Sequence, residues 1–391
     1  MTPSQAATRR VRGWVRAALV SEAGVAPDSR PDDAGEALET VDLVAATVRQ
    51  RVVDLVHAQA AALELPVELV EGLSRVRTAT RELVPLQLLE LARMRELLEG
   101  AGVRYLAIKG PALAVQTTGD VGARGFGDLD ILVDPRSVDA LVDLLSDRGW
   151  RSSVPLPGQE SWAWRRILYT ANELTFYGAS CSVDLHWRLD PTLDALPAFD
   201  ALWDRRELLR VGGVEVPTLS PADALAHLCL NAARDEWRWL RSLVDIHRTA
   251  RLEGAWKSGH LSGLALRALV VTDALVGLPL ETPGWARDRV TTVPPRVRDR
   301  LVREAIRGEE GVEKAPEKPA SRSWPSMRYQ IAASASPRDV RRMLGTLVLP
   351  GWAVRDVAAS SAWRGVPAGV GRRTSDLTRR SLHHLAERWS G

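Results

Sequence analysis

The sequence is short of several features that would mark particular classes of protein. Only two of its 391 residues are cysteines, Cys181 and Cys229, which excludes a disulfide framework and a cysteine-based metal site. No apolar run reaches the roughly 18 residues of a membrane span, so we expect no membrane insertion. The segment VRAALV, which follows three arginines, is too short and too closely flanked by charge for a signal peptide, which favours the cytoplasm.

Neither sign of charge predominates in the sequence, and lysine is scarce. The formal net charge is +3, which argues against nucleic acid as the main partner. The chain has four lysines, Lys109, Lys257, Lys314 and Lys318. Arginine supplies the remaining positive charge, a bias typical of GC-rich bacterial genomes, so we assign little function to the arginines as a class. The scarcity draws attention to Lys109, which stands beside a glycine at the end of a strand-like segment.

Periodicity and composition divide the chain into five parts. Helical patterns dominate the beginning, strands alternate with helices in the middle, and helical patterns return after about residue 195. The charged, Pro-rich stretch GEEGVEKAPEKPASRSWP then indicates a linker. The predicted parts are an N-terminal helical region (1–95), an α/β core (96–195), a helical domain (196–305), a linker (306–325) and a basic, partly helical segment (326–391).

The core is predicted to contain one mixed sheet. The runs VRYLAIKG (103–110) and DLDILVD (128–134) have the composition of strands, and 136–148 has the periodicity of an amphipathic helix. Two further strands, 172–178 and 181–189, are predicted to form a hairpin that turns at Gly178.

Proline and serine mark the predicted helix starts. Pro111 occupies the favoured first position of a helix, and Pro85 either kinks a helix or begins a new one. The run Ser220-Pro221-Ala222-Asp223 combines an N-cap serine, a first-turn proline and an acid at the third position. The helices predicted from there onward cover 221–233, 236–251 and 262–277.

Two aspartates stand one residue apart in the run ARGFGDLDILVDP (123–135). Strand alternation places Asp128 and Asp130 on one face, and in SVDLHWRL it places Asp184 and His186 on one face. If the two strands are neighbours, the three carboxylates converge and repel one another unless a divalent cation lies between them. Oxygen ligands of this kind suit Mg²⁺, which binds through a few carboxylates and substrate phosphates.

The run Lys109-Gly110-Pro111 offers a complementary positive element. A strand that ends at a glycine and leads directly into a helix presents free backbone N–H groups and a favourable dipole to a phosphate. Lys109 would add a point charge, and Arg124 a second charge that can bind phosphate as a fork.

These motifs together resemble a known group of proteins. The run YLAIKGPALA…RGFGDLDILVDP, followed by VDLHWRL, is similar to nucleotidyltransferase-like proteins of the DNA polymerase β superfamily, and more narrowly to the bacterial uncharacterised nucleotidyltransferases, over residues 85–250. In that group a Lys-Gly replaces the glycine-serine signature, an Arg precedes Asp-x-Asp, and Asp-Leu-His follows on a later strand. The resemblance implies an α+β fold, in which helices flank a mixed β-sheet and further helical regions lie at both ends of the chain.

The resemblance also implies a site and a reaction. The implied catalytic metal ligands for Mg²⁺ or Mn²⁺ are Asp128, Asp130 and Asp184. The implied cofactor-binding residues are Lys109, Gly110, Arg124 and His186, the last either structural or supporting the metal site. The implied reaction transfers a nucleotidyl group from a nucleoside triphosphate to a small-molecule or peptide acceptor, in pathways that build polysaccharides or modified peptides such as lasso peptides. Relative to the family pattern, Asn231 stands where a histidine is expected.

Other interpretations of the same residues stay open at this point. The two aspartates of β-strand 128–134 could cap a solvated strand end, Asp184 could be a structural partner of Arg188 or Arg124, and Lys109 could be a surface lysine. The same phosphate-binding features could hold a nucleotide sugar and support glycosyl transfer. A catalytically inactive binding or regulatory protein is a third possibility, against which the complete set of three aspartates argues.

Overall fold

The computed structural model describes residues 2–24, 38–125, 127–179, 181–191, 195–257 and 261–311, together with positions 337, 340 and 341. Predictions for 312–325, and for nearly all of the basic segment 326–391, therefore lie outside the described residues. Among the described residues, no helix combines the length and apolar character of a membrane span.

Helices fill the N-terminal part of the chain. Five of them are described before the first strand: α1 (Pro3–Glu22), α2 (Thr40–Arg49), α3 (Val53–Ala58), α4 (Val67–Arg81) and α5 (Val84–Gly100). Pro85 lies in the first turn of α5, so it begins a new helix, the second of the two predicted alternatives. Leu91, Met94 and Leu98 of α5 are buried against the sheet.

Within the described residues, seven strands form one mixed sheet in the order β3-β4-β5-β2-β1-β7-β6. The strands are β1 (Tyr105–Ala107), β2 (Asp128–Val133), β3 (Arg151–Ser152), β4 (Glu173–Tyr177), β5 (Ser182–His186), β6 (Glu207–Val211) and β7 (Val214–Thr218). The pairs β2/β5 and β1/β7 are parallel, and the other neighbours are antiparallel. The predicted mixed sheet and the predicted hairpin of β4 and β5 are both confirmed.

The helices between the strands are α6 (Gly110–Thr118), α7 (Val138–Asp147), α8 (Trp162–Thr170) and α9 (Phe199–Asp204). After the sheet follow α10 (Pro221–Arg234), α11 (Leu240–Ala250), α12 (Gly263–Leu275), α13 (Gly284–Thr291) and α14 (Pro295–Gly311). Ser220 caps α10 as predicted, because its hydroxyl accepts a hydrogen bond from the Asp223 backbone N–H at 3.3 Å. Buried side chains of α1–α4 pack in one cluster with those of α10–α12.

The sequence prediction differs from the structure in the part that follows residue 195 and at the start of the predicted linker. The part after residue 195 is not wholly helical, because α9 is followed by β6 and β7, an antiparallel hairpin in which Val211 pairs with Val214. Gly212 and Gly213, both with positive φ, make the two-residue turn that joins them. The linker was predicted to begin at residue 306, yet α14 continues through Gly311. The proposed division into five domains stays a prediction.

Candidate active site

Strands β2 and β5 lie side by side and carry the acidic residues. In their parallel register Asp130 pairs with Asp184, and Leu132 pairs with His186. The alternate residues Leu129 and Ile131 are buried in the core beneath the sheet. Because side chains alternate along each strand, Asp128, Asp130 and Asp184 project from the same face. The predicted adjacency of the two acidic strands is therefore confirmed.

Asp130 is the best-connected carboxylate of the group. Its Oδ1 lies 3.3 Å from Lys109 Nζ and 3.2 Å from His186 Nε2, and the residue is buried. Burial alone would raise the pKa of Asp130, but the positive charge of Lys109 and the hydrogen bond from His186 lower it overall. His186 Nδ1 in turn lies 3.0 Å from Glu173 Oε2 on β4, outside hydrogen-bonding geometry. Asp130 is therefore ionised and fixed in place.

Asp184 is in a different electrostatic state. Thr175 on β4 donates a hydrogen bond of 2.6 Å to its Oδ1. Burial raises the pKa of Asp184 to about 6, and the nearby charges of Asp130 and Asp128 act in the same direction against the opposing hydrogen bond. A cation that binds among these carboxylates would therefore reduce their mutual repulsion.

The donor atoms fit a divalent cation. Among the described residues, Asp130, Asp184 and His186 can each offer one ligand atom, and these atoms lie within 4.8 Å of one another. Two carboxylates with room for further oxygen ligands match the preference of Mg²⁺ or Mn²⁺. Asp128 is outside this group, but it lines a cavity together with Asp130 and Asp184.

Lys109 and Gly110 lie at the turn between β1 and α6. Gly110 has a φ of 52°, a backbone conformation that favours glycine, and α6 begins there with Pro111 in its first turn. The side chain of the N-cap residue Lys109 accepts no hydrogen bond from the first backbone N–H groups of α6. The Lys109 side chain is mostly buried, at 14% exposure, rather than solvated.

Arg124 has a partner that the sequence did not indicate. Its Nε lies 3.0 and 3.1 Å from the two carboxylate oxygens of Asp245 on α11, and its Nη2 donates to Oδ2 at 2.8 Å. The two side chains are buried together, and the Asp245 charge helps to raise the pKa of Arg124 against the effect of burial. A role for Arg124 toward phosphate therefore stays a prediction.

Arg188 and Arg124, the two alternative partners considered for Asp184, make other contacts. Arg188 donates to the carbonyl oxygens of Leu168, at 2.9 Å, and Ala171 at the end of α8. Arg124 contacts Asp245 as described above. At the position where a histidine is expected, the side-chain oxygen of Asn231 accepts a 2.5 Å hydrogen bond from Arg234 Nη2.

A cavity of about 540 Å³ connects these residues with parts of the chain distant in sequence. Its walls include residues of α2–α4, of α10 and of α11 as well as the sheet. The lining residues that the sequence analysis did not assign to the site include Arg51, Glu173, Arg234, Trp239 and Arg241. No local motif marks them, and for the three arginines the residue type carries little information in a chain so rich in arginine.

Comparisons with known proteins add to this geometry. The model of a family described as "Uncharacterised nucleotidyltransferase" matches residues 37–266, a range that contains every residue lining the cavity. The solved structure of the lincosamide antibiotic adenylyltransferase LnuA with bound lincomycin is similar at 18% sequence identity and a TM-score of 0.30, over 41% of this chain and 94% of that chain. No curated protein matches the sequence.

Proposed function

Because the chain belongs to the family of uncharacterised nucleotidyltransferases, we propose that it transfers a nucleotidyl group from a nucleoside triphosphate to a small-molecule or peptide acceptor. The acceptor would belong to a bacterial biosynthetic pathway for a polysaccharide or a modified peptide. The observation that carries the proposal is the pairing of Asp130 with Asp184 on adjacent parallel strands, with Lys109 in contact with Asp130.

The metal would be held by residues of the acidic face. Asp130 and Asp184 are the ligands best supported by their spacing, and Asp128 is a further carboxylate in the same cavity. A bound Mg²⁺ or Mn²⁺ would neutralise phosphate charge and polarise the reacting oxygens. His186 would act by holding Asp130, to which its Nε2 is adjacent.

The other residues would bind the nucleotide and move the proton. Lys109 and the first backbone N–H groups of α6 would hold the phosphates. The acceptor oxygen attacks the α-phosphorus, its proton passes to a carboxylate oxygen, and pyrophosphate leaves. A carboxylate of the acidic face that does not hold the metal would suit the proton-accepting role, and Asp128, which lines the cavity outside the metal-ligating group, is the candidate.

A thermal-shift experiment tests the metal and nucleotide sites together. A ligand that binds only the folded protein stabilises it by about 2.7 kcal/mol at a hundred times its Kd. We expect Mg²⁺ or Mn²⁺ to raise the Tm, and Mg²⁺ with a nucleoside triphosphate to raise it further. Asp130→Asn should remove the metal-dependent shift, whereas Asp147→Asn, a change of the same type at an exposed position of α7, should retain it.

The mass of the product then identifies the group transferred. Incubation with mixed nucleoside triphosphates, nucleotide sugars and candidate acceptors should add the mass of a nucleoside monophosphate residue to the acceptor. Addition of a hexose would show glycosyl transfer instead. A well-folded protein with no Tm shift from any ion or nucleotide, and no product, would refute the enzymatic assignment of this site.

A further inference from the structure

Two arginines on the cavity wall, Arg51 and Arg241, have no carboxylate partner among the described residues, unlike the other cationic side chains there. Lys109, Arg124 and Arg234 each lie within 4.0 Å of a carboxylate oxygen. Among the described residues, neither Arg51 nor Arg241 forms such a pair. Arg241 Nη1 donates to the Gly125 carbonyl oxygen at 3.2 Å, and the Arg51 guanidinium lies 4.5 Å from the centre of the Trp239 ring.

Their surroundings are unfavourable for unpaired charge. Burial lowers the pKa of Arg51, and burial together with the nearby Arg124 lowers that of Arg241 to about 9. The negative charges of Asp128 and other carboxylates raise the pKa of both arginines from a distance, without contacting them. Removing a cation from water without a nearby negative charge costs free energy. An anion that enters the cavity beside these two arginines would therefore be bound favourably.

The two side chains are held in position by contacts between distant parts of the chain. The buried Gln50 side chain accepts a 2.8 Å hydrogen bond from the Leu240 N–H, at the start of α11, where Trp239 supplies no side-chain cap. The Gln50 carbonyl oxygen accepts from the Arg241 N–H at 3.3 Å. Arg51 has a φ of 57°, a strained conformation for a residue with a Cβ. The end of α2 is thereby fixed to the start of α11.

We propose that Arg51 and Arg241 form an anion subsite of the catalytic cavity that binds a phosphate or carboxylate group of a substrate. Guanidinium groups bind such anions through paired hydrogen bonds, which an ammonium group cannot match in geometry. Trp239 orients Arg51 by stacking. The anion belongs either to the phosphate chain of the nucleotide or to an acidic acceptor. This inference rests on the proposed function for the identity of the substrates.

Calorimetric titration of the full-length protein with inorganic pyrophosphate, in EDTA and without divalent metal, tests the subsite. We expect the affinity to fall about tenfold or more in Arg51→Gln and in Arg241→Gln, the loss of one charged hydrogen-bonding partner. Arg75→Gln, at an exposed position of α4, should bind as the wild type does. Arg51→Lys keeps the charge but loses the fork and should lie between wild type and Arg51→Gln, which also covers a failure of Arg51→Gln to fold.

A second titration separates the two sources of the anion. If the nucleotide phosphates occupy the subsite, a saturating nucleoside triphosphate should abolish the binding that depends on the two arginines. If the acceptor occupies it, that binding should persist in the nucleotide-saturated protein. Either result supports the subsite.

Two results overturn the proposal: a wild type that does not bind pyrophosphate, or a Lys109→Ala variant that loses binding while the Arg51 and Arg241 variants keep it. Both measurements avoid metal. Their failure is therefore distinct from failure of the Asp130→Asn test, which concerns the proposed function.

Discussion

The buried pair of Arg124 and Asp245 should contribute strongly to stability. Its three contacts of 2.8–3.1 Å join the loop before β2 to α11, and both side chains are less than 9% exposed. Asp245→Asn removes the negative charge and leaves the guanidinium buried. Breaking a pair of this kind costs about 3–5 kcal/mol. Because the negative charges of Asp130 and Asp128 also stabilise the charged Arg124, we expect a loss of stability at the lower end of this range, about 3 kcal/mol.

A double-mutant cycle measures the interaction itself. Urea unfolding at pH 7 of the wild type, Arg124→Gln, Asp245→Asn and the double variant gives the four free energies of unfolding. The double variant should be destabilised by less than the sum of the single variants, with a coupling of about 1.5 kcal/mol or more. The surface pair Arg95 and Glu99, at 2.9 Å on α5, is the control and should show a much smaller coupling.

The cycle also distinguishes a structural Arg124 from a phosphate-binding one. A coupling below about 0.5 kcal/mol would refute the structural interpretation. If Arg124→Gln then lowered nucleotide affinity without lowering stability, Arg124 would have the phosphate-binding role predicted from the sequence.

Three further predictions concern the turn and the residues around Asp130. Gly110→Ala and Gly119→Ala both place a Cβ at positive φ and should each cost about 1–2 kcal/mol in urea unfolding, but only Gly110→Ala should also weaken nucleotide binding by calorimetry. Lys109→Ala should lower nucleotide affinity, and an unchanged Kd would mean that this lysine has only a structural role as the partner of Asp130. His186→Gln should reduce kcat while leaving the KM for nucleotide nearly unchanged, since the imidazole contacts Asp130 rather than the cavity; an unchanged kcat would contradict its positioning role.

The sequence predicted the central sheet because its signals are local. Alternation in DLDILVD and SVDLHWRL determines which residues face the core, and the same alternation places the aspartates on one face once the strands are adjacent. A local signal for the β6–β7 hairpin was also present, since ELLRV and VEVPT flank a Gly-Gly pair. The helix predicted over 236–251 begins only at Leu240, because Glu236 and Trp237 have positive φ.

The cavity wall illustrates what a single sequence does not contain. Arg51 and Arg241 are 190 positions apart, and they line the same cavity because the buried Gln50 bonds to the start of α11. Nothing near either arginine marks it, whereas Lys109 could be singled out by scarcity and by the glycine that follows it. The distinction between a solvated arginine and one held in a cavity arises from burial and from the absence of a carboxylate partner, both properties of the folded chain. In this protein the acidic residues of the candidate site and Lys109 are therefore predictable from local pattern, and the two arginines of the cavity wall become visible only through long-range packing.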